Sequence, residues 1–200
     1  MKTVIIKYNA GNVQSVLFAL ERIGVKGILS DSPQEIISAD KVIFPGVGEA
    51  SSAMKYLKEK KLDEVMKNLK PSVLGICLGM QLMCKHSEEG NTDCLGIFPL
   101  QVKKFKGELK VPQIGWNNIY DLKGKLFEGL NENEYMYFVH GYYAEKGSGT
   151  IAKTNYILEY SPALQKENRY NRLGITPLFS VNSDWFSTCH SSYQNIKYPV

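Results

Sequence analysis

The stretch Val73-Leu74-Gly75-Ile76-Cys77-Leu78-Gly79-Met80-Gln81 restricts the possible folds of this chain more than any other. An apolar, strand-like run ends at Gly-x-Cys-x-Gly, and an apolar pattern of helical spacing follows without a break. Turning from strand to helix over one residue demands a sharp, strained elbow, which flanking glycines permit. Such an elbow lifts its central side chain to the top of a sheet. The helix that follows supplies free backbone N–H groups and the positive end of its dipole, both of which favour a thiolate. Cys77 is therefore the candidate nucleophile. Reading it as a small buried cysteine at a strand end leaves both glycines unexplained.

The residues before the elbow alternate between strand and helix patterns. Thr3–Tyr8 reads as a buried strand, and Val13, Val16, Leu17, Leu20 and Ile23 fall at helical spacing until Gly24 stops them. Gly27–Leu29 is a short second strand, Asp31-Ser32-Pro33 starts a helix, and Lys41–Phe44 is a third strand. Ala50 to about Leu69 is helical in two pieces, and Val73–Ile76 leads to Cys77. This alternation predicts an α/β fold with a mostly parallel central sheet flanked by helices, its ligands bound at the carboxyl ends of the strands. From about Gly96 the pattern changes: Gly96–Phe105, Lys110–Tyr120, Glu134–Val139 and Thr150–Leu158 read as strands of a β-rich second half.

Two hundred residues with 44% hydrophobic content suit one domain with a substantial core. No apolar run reaches the roughly 20 residues of a membrane helix, so a soluble chain without membrane contact is expected, and its cysteine usage fits a reducing cytoplasm best. A net charge of +4 is too small to point to nucleic acid. Lys103, Lys104, Lys106 and Lys110 form the densest basic patch, a solvated edge or a docking surface for an acidic partner. Cys77, Cys84, Cys94 and Cys189 lack Cys-x-x-Cys spacing, so neither a metal site nor a redox pair is predicted.

Pro45-Gly46-Val47-Gly48 lies between a strand and a helix, at the same sheet end as Cys77. Its glycines can bring backbone N–H groups close to a ligand, so Gly46, Val47 and Gly48 form a candidate oxyanion hole with Leu78, the residue after the nucleophile. The bland alternative is an ordinary strand–helix turn. A phosphate loop is disfavoured because the Gly-x-x-x-x-Gly-Lys-Ser/Thr signature is absent.

Tyr8-Asn9-Ala10-Gly11-Asn12, Phe44-Pro45-Gly46-Val47-Gly48, Gly75-Ile76-Cys77-Leu78-Gly79-Met80-Gln81 and Gly96-Ile97-Phe98-Pro99 together resemble the class I glutamine amidotransferases. Val111-Pro112-Gln113-Ile114-Gly115-Trp116-Asn117 and Tyr137-Phe138-Val139-His140 are similar to the branch of glutaminase subunits of imidazole glycerol phosphate synthase, from histidine biosynthesis. The resemblance implies a flavodoxin-like fold over residues 1–168 and a glutaminase without cofactor or metal. It also implies a separate cyclase subunit with a (β/α)₈ barrel that receives ammonia. By the same resemblance Cys77 attacks glutamine, Gly46–Gly48 and Leu78 hold the oxyanion, and Gly79, Gln81, Gly141 and Tyr142 hold the substrate. Gly141 stands where the family commonly has serine, so a side-chain contact is lost and a backbone contact remains. His140 is not the family's base; a structural or interface role is expected for it.

After Asn168 the resemblance stops. The family's Phe-His-Pro-Glu lines up with Ile175-Thr176-Pro177-Leu178, which puts Thr176 and Leu178 where the triad histidine and glutamate belong. Threonine is no base near neutral pH, and leucine cannot orient an imidazole. Residues 169–200 read as a substituted end with little helical periodicity, of the kind a reading-frame shift near Asn168 produces. His190 lies there without an apolar strand to fix it, and is expected to be exposed rather than to replace the base. Either a weakened glutaminase or a non-catalytic partner of the cyclase is implied.

Overall fold

Every residue of Thr3–Ile6 (β1), Lys41–Phe44 (β3) and Ser72–Ile76 (β4) is buried, as befits parallel strands covered on both faces. The computed structural model describes residues 1–9, 12–166, 172–176 and 179–180, with backbone alone at 172, 173, 179 and 180. Between the first strands lie helix α1 (Val13–Arg22), strand β2 (Gly27–Ser30) and helix α2 (Pro33–Ile37). Asn12 caps α1 by accepting from the Ser15 N–H at 3.3 Å, and the chain leaves it through Gly24 at φ 71°. The two-piece helix is present as α3 (Ala50–Glu59) and α4 (Leu62–Asn68), broken at Lys61 in the left-handed region.

Past β4 come α5 (Leu78–Met83), β5 (His86–Ser87), β6 (Thr92–Asp93), β7 (Gln101–Lys104), β8 (Gln113–Ile119) and β9 (Glu134–His140). Then follow β10 (Tyr142–Ala144), β11 (Thr150–Tyr156), β12 (Leu158–Lys166), β13 (Arg172–Ile175) and β14 (Phe179–Ser180). The large sheet runs β2-β1-β3-β4-β13-β12-β10-β7-β5-β6, with β11 paired to β12. It is parallel from β2 to β13 and turns antiparallel at β12. A smaller antiparallel sheet orders β14-β9-β8. Among the described residues no helix is long and apolar enough to cross a membrane.

Successive strand residues point to opposite faces, and the core divides accordingly. Val4, Ile6, Val42, Phe44 and Val73 pack with α3, α4 and α5 on one side. Ile5, Ile43, Leu74 and Ile76 pack with α1 and the β-rich half on the other.

Three expected strands differ. Gly96–Phe105 narrows to β7, because Gly96 takes φ 68° and opens a turn. Lys110–Tyr120 narrows to β8. Thr150–Leu158 proves to be the first arm of a hairpin, reversed at Ile157 (φ 65°), with β12 as the return arm. Of the expected basic patch, Lys103 pairs with Glu145 at 2.8 Å and Lys106 lies 3.8 Å from Glu88. Cys77, Cys84 and Cys94 are free thiols, and no metal-binding cluster occurs among the described residues. Leu178, His190 and the rest of the expected substituted end beyond Ser180 lie outside the described residues.

Candidate active site

The elbow exists, and its strain sits on the cysteine. Cys77 has φ 52° and ψ −111°, a conformation that costs a non-glycine residue about 1–3 kcal/mol and that the surroundings must enforce. Its N–H donates to the Ile175 carbonyl of β13 at 2.7 Å, and its carbonyl accepts the first helical bond of α5, from the Gln81 N–H at 3.1 Å. The glycines on either side act by close approach rather than by φ. A Cβ on Gly75 would lie 2.9 Å from the Met80 nitrogen, and one on Gly79 would overlap the Phe44 carbonyl oxygen. They let α5 lie directly on the ends of β4 and β3.

A cavity of about 290 Å³ opens above the elbow. It brings together Val47, Gly48, Cys77, Leu78, Gln81, Gly141 and Tyr142 of the predicted set, and adds Glu89, Pro112, Val139 and His140. Gly46 and Gly79 are not among the lining residues. Gly46 sits just behind, its carbonyl accepting from the Leu78 N–H at 3.4 Å. The expected oxyanion donor is therefore engaged by the loop opposite it. Burial pushes the Cys77 thiol up to about 11, with the Leu78 N–H pulling the other way and the Glu89 carboxylate adding to the rise. At neutral pH the site holds a thiol.

Glu89 was not predicted. It is half-buried, and its Oε2 accepts from the Ala50 N–H at the start of α3 at 2.9 Å. Burial raises its pKa, opposed by that N–H. An acidic pair before Gly90 looks like a solvated turn in sequence, and no local signal separates Glu89 from Glu88.

The far wall is built on the Tyr142 carbonyl. Gln81, only 5% exposed, donates to it through Nε2 at 3.1 Å, and His140 reaches it through Nδ1 at 2.7 Å. Gln81 thus braces the wall as well as lining it. A carbonyl only accepts, so His140 carries its proton on Nδ1, leaving Nε2 to face the Tyr160 hydroxyl at 3.0 Å. Burial pushes the His140 pKa down to about 4. With both nitrogens engaged and little affinity for a proton, His140 is a bracing residue, in line with the expected structural role.

Thr176 follows β13, which pairs with β4 in the register Ile175–Ile76, so it stands one step on, beside Cys77. Its N–H donates to the Pro162 carbonyl at 2.8 Å. Its hydroxyl is buried and points to the Met80 sulfur at 3.8 Å. It does not line the cavity. The position that lines up with the family's base directly follows β13, beside the nucleophile, and it holds a threonine.

The sequence model of glutamine amidotransferase class-I matches residues 4–168. The imidazole glycerol phosphate synthase subunit HisH of Bacteroides fragilis (strain YCH46) is 54% identical over 173 residues, 85% of this chain and 88% of the relative. The protein named HisH 1 from Vibrio vulnificus (strain YJ016) is 43% identical over 177 residues, 84% and 87% of the two chains. Among solved structures, a glutamine amidotransferase from Thermotoga maritima aligns with a TM-score of 0.62 at 16% identity, covering 98% of this chain and 83% of that one. Another crystal structure, described only as glutamine amidotransferase, aligns with a TM-score of 0.71 at 16% identity, covering 95% and 96%. At such identities the structural likeness speaks for the fold alone.

Proposed function

The chain belongs to the class I glutamine amidotransferases, and from that premise we propose that it is the glutaminase subunit of an imidazole glycerol phosphate synthase. The observation that carries the reading is Cys77, held at a strained elbow on the floor of a cavity that also holds a half-buried carboxylate. Glutamine fits that chemistry. Its α-ammonium is the natural partner of Glu89, and the backbone of Gly141 and Tyr142 offers polar contacts along its length.

The sulfur of Cys77 attacks the side-chain amide carbon, and the amide oxygen takes up the displaced electron pair. Collapse expels the nitrogen, which leaves as ammonia after gaining a proton, and a glutamyl thioester remains. Water then cleaves the thioester to glutamate and restores the thiol. The forming oxyanion needs the Leu78 N–H, so the Gly46 carbonyl must turn away from it first. Ammonia passes to a cyclase subunit with a (β/α)₈ barrel, in a cytoplasmic heterodimer whose combined reaction is that of a lyase.

A docking face for that subunit lies beside the cavity mouth. In β8 and β9, Ile114 pairs with Val139 and Trp116 with Tyr137, so these four side chains share one face. Ile114, Trp116 and Val139 are exposed, and Val139 also lines the cavity.

What weakens turnover is the proton. The thiol proton must leave and the departing nitrogen must receive one, and Thr176 stands where a base would do both. Loss of triad members in other enzymes slows them by about 10⁴–10⁶-fold. Thr176 therefore also favours a second reading, a partner that docks on the cyclase without hydrolysing glutamine. Glutamate release, measured with the cyclase and its substrate present, separates the two. Slow release abolished by Cys77→Ser, and raised about a hundredfold or more by Thr176→His, is the expected result. Release that neither substitution alters sinks the glutaminase reading, and a stable complex would then leave the docking role.

A further inference from the structure

Tyr8 lies two residues beyond β1, at the sheet end where the site is built, and is 7% exposed. Its ring packs 5.3 Å from that of Phe44, and its hydroxyl donates to the Pro45 carbonyl in a buried hydrogen bond. The same oxygen faces Gly46, where an added Cβ would stand 2.5 Å from it. The next carbonyl, that of Gly46, accepts the Leu78 N–H at 3.4 Å. Two consecutive carbonyls are thus pinned, one by a tyrosine of β1's end and one by the backbone of the nucleophile's helix.

We propose that Tyr8 is the positioning residue for the loop Pro45–Gly48, the anchor against which the Gly46–Val47 peptide rotates when the Leu78 N–H is released. This role rests on the Leu78 N–H serving as the oxyanion donor. Pro45 and Gly46 share a pivot at the Gly46 Cα. With the Pro45–Gly46 plane held by Tyr8, motion is confined to the plane that carries the Gly46 carbonyl, and Gly46 has the backbone freedom to take it up. Without the hydroxyl, the Pro45 carbonyl loses its buried donor and both planes loosen together. A buried acceptor left without a partner is costly enough to shift a local equilibrium about tenfold or more.

Tyr8→Phe keeps the ring against Phe44 and removes only the anchor. Residue-resolved amide exchange by NMR, on the whole chain without glutamine, reads the effect directly. The expected result is exchange faster by about tenfold or more at Leu78, whose N–H is held by the Gly46 carbonyl, with Ile5 and Ile43 of the underlying strands unchanged. Alkylation of Cys77 by iodoacetamide should quicken in parallel. Wild-type exchange at Leu78, or a uniform rise at Leu78 and the strands alike, would overturn the proposal. Because no turnover is measured, failure of the glutaminase reading leaves this result interpretable.

Discussion

His140 lines the same cavity as Cys77, yet what holds its two nitrogens fixes its chemistry. Its folded pKa is lowered to about 4 by burial, against an ordinary value of 6.5. As pH falls, the unfolded chain takes up that proton first. The stabilisation is therefore complete above pH 6.5 and is lost as pH falls through 4, to a total of about 3 kcal/mol. His140→Gln should flatten this part of the acid loss, seen as urea midpoints that fall less between pH 6.5 and 4 than those of the wild type. Equal losses in the two proteins would show that the ring does not titrate as described. Cys77, Val47 and Gly48 were legible in the sequence because each belongs to a short local motif, and Tyr142 came with the family resemblance alone. Glu89 was not, since its burial and its partner Ala50 come from a segment 39 residues away. Gln81 was legible as a cavity residue but not as a brace, because the Tyr142 carbonyl it supports arrives from another strand.

Among the elements, α5 carries the site, and its seat on the sheet depends on a missing side chain. Gly79 faces the last residue of β3 so closely that a methyl group would overlap the Phe44 carbonyl. That neighbour is backbone and cannot swing aside. Gly79→Ala is expected to displace α5 and to destabilise the fold by about 3 kcal/mol or more. Gly147→Ala meets only a terminal methyl of the Leu100 side chain and should cost about 1 kcal/mol. Denaturant midpoints of the two variants test the ordering, and a Gly79→Ala protein as stable as Gly147→Ala would contradict this packing. The parallel strands were readable because they are buried runs punctuated by helix signals. β12 was not, because Pro162 lies within it and Ile157 reverses the chain where a β-branched residue normally continues a strand. β13 owes its place to tertiary pairing with β4 and β12, which no local pattern announces.

At the scale of the whole molecule, the outer face of β8 and β9 has burial left to gain. The inner sides of β8 and β9 contribute Ile119, Met136 and Phe138 to the core, and the outer sides present Ile114 and Trp116 to solvent, 58% and 52% exposed. Trp116 and Tyr137 hold each other edge-to-face at 5.3 Å, so a partner would meet a preformed aromatic ridge and order little on contact. A tryptophan at the centre of such a patch typically carries about 2 kcal/mol of binding energy, roughly thirtyfold in Kd. Trp116→Ala should therefore weaken association with the cyclase about thirtyfold by calorimetry, with stability shifting by no more than about 0.5 kcal/mol, as for an exposed position. Unchanged affinity would move the docking face elsewhere. A large loss of stability would instead mark Trp116 as part of the fold. Thr176→His, at the buried end of β13, should leave this affinity unaltered while changing turnover, since Thr176 is 1% exposed and out of reach of a docked partner.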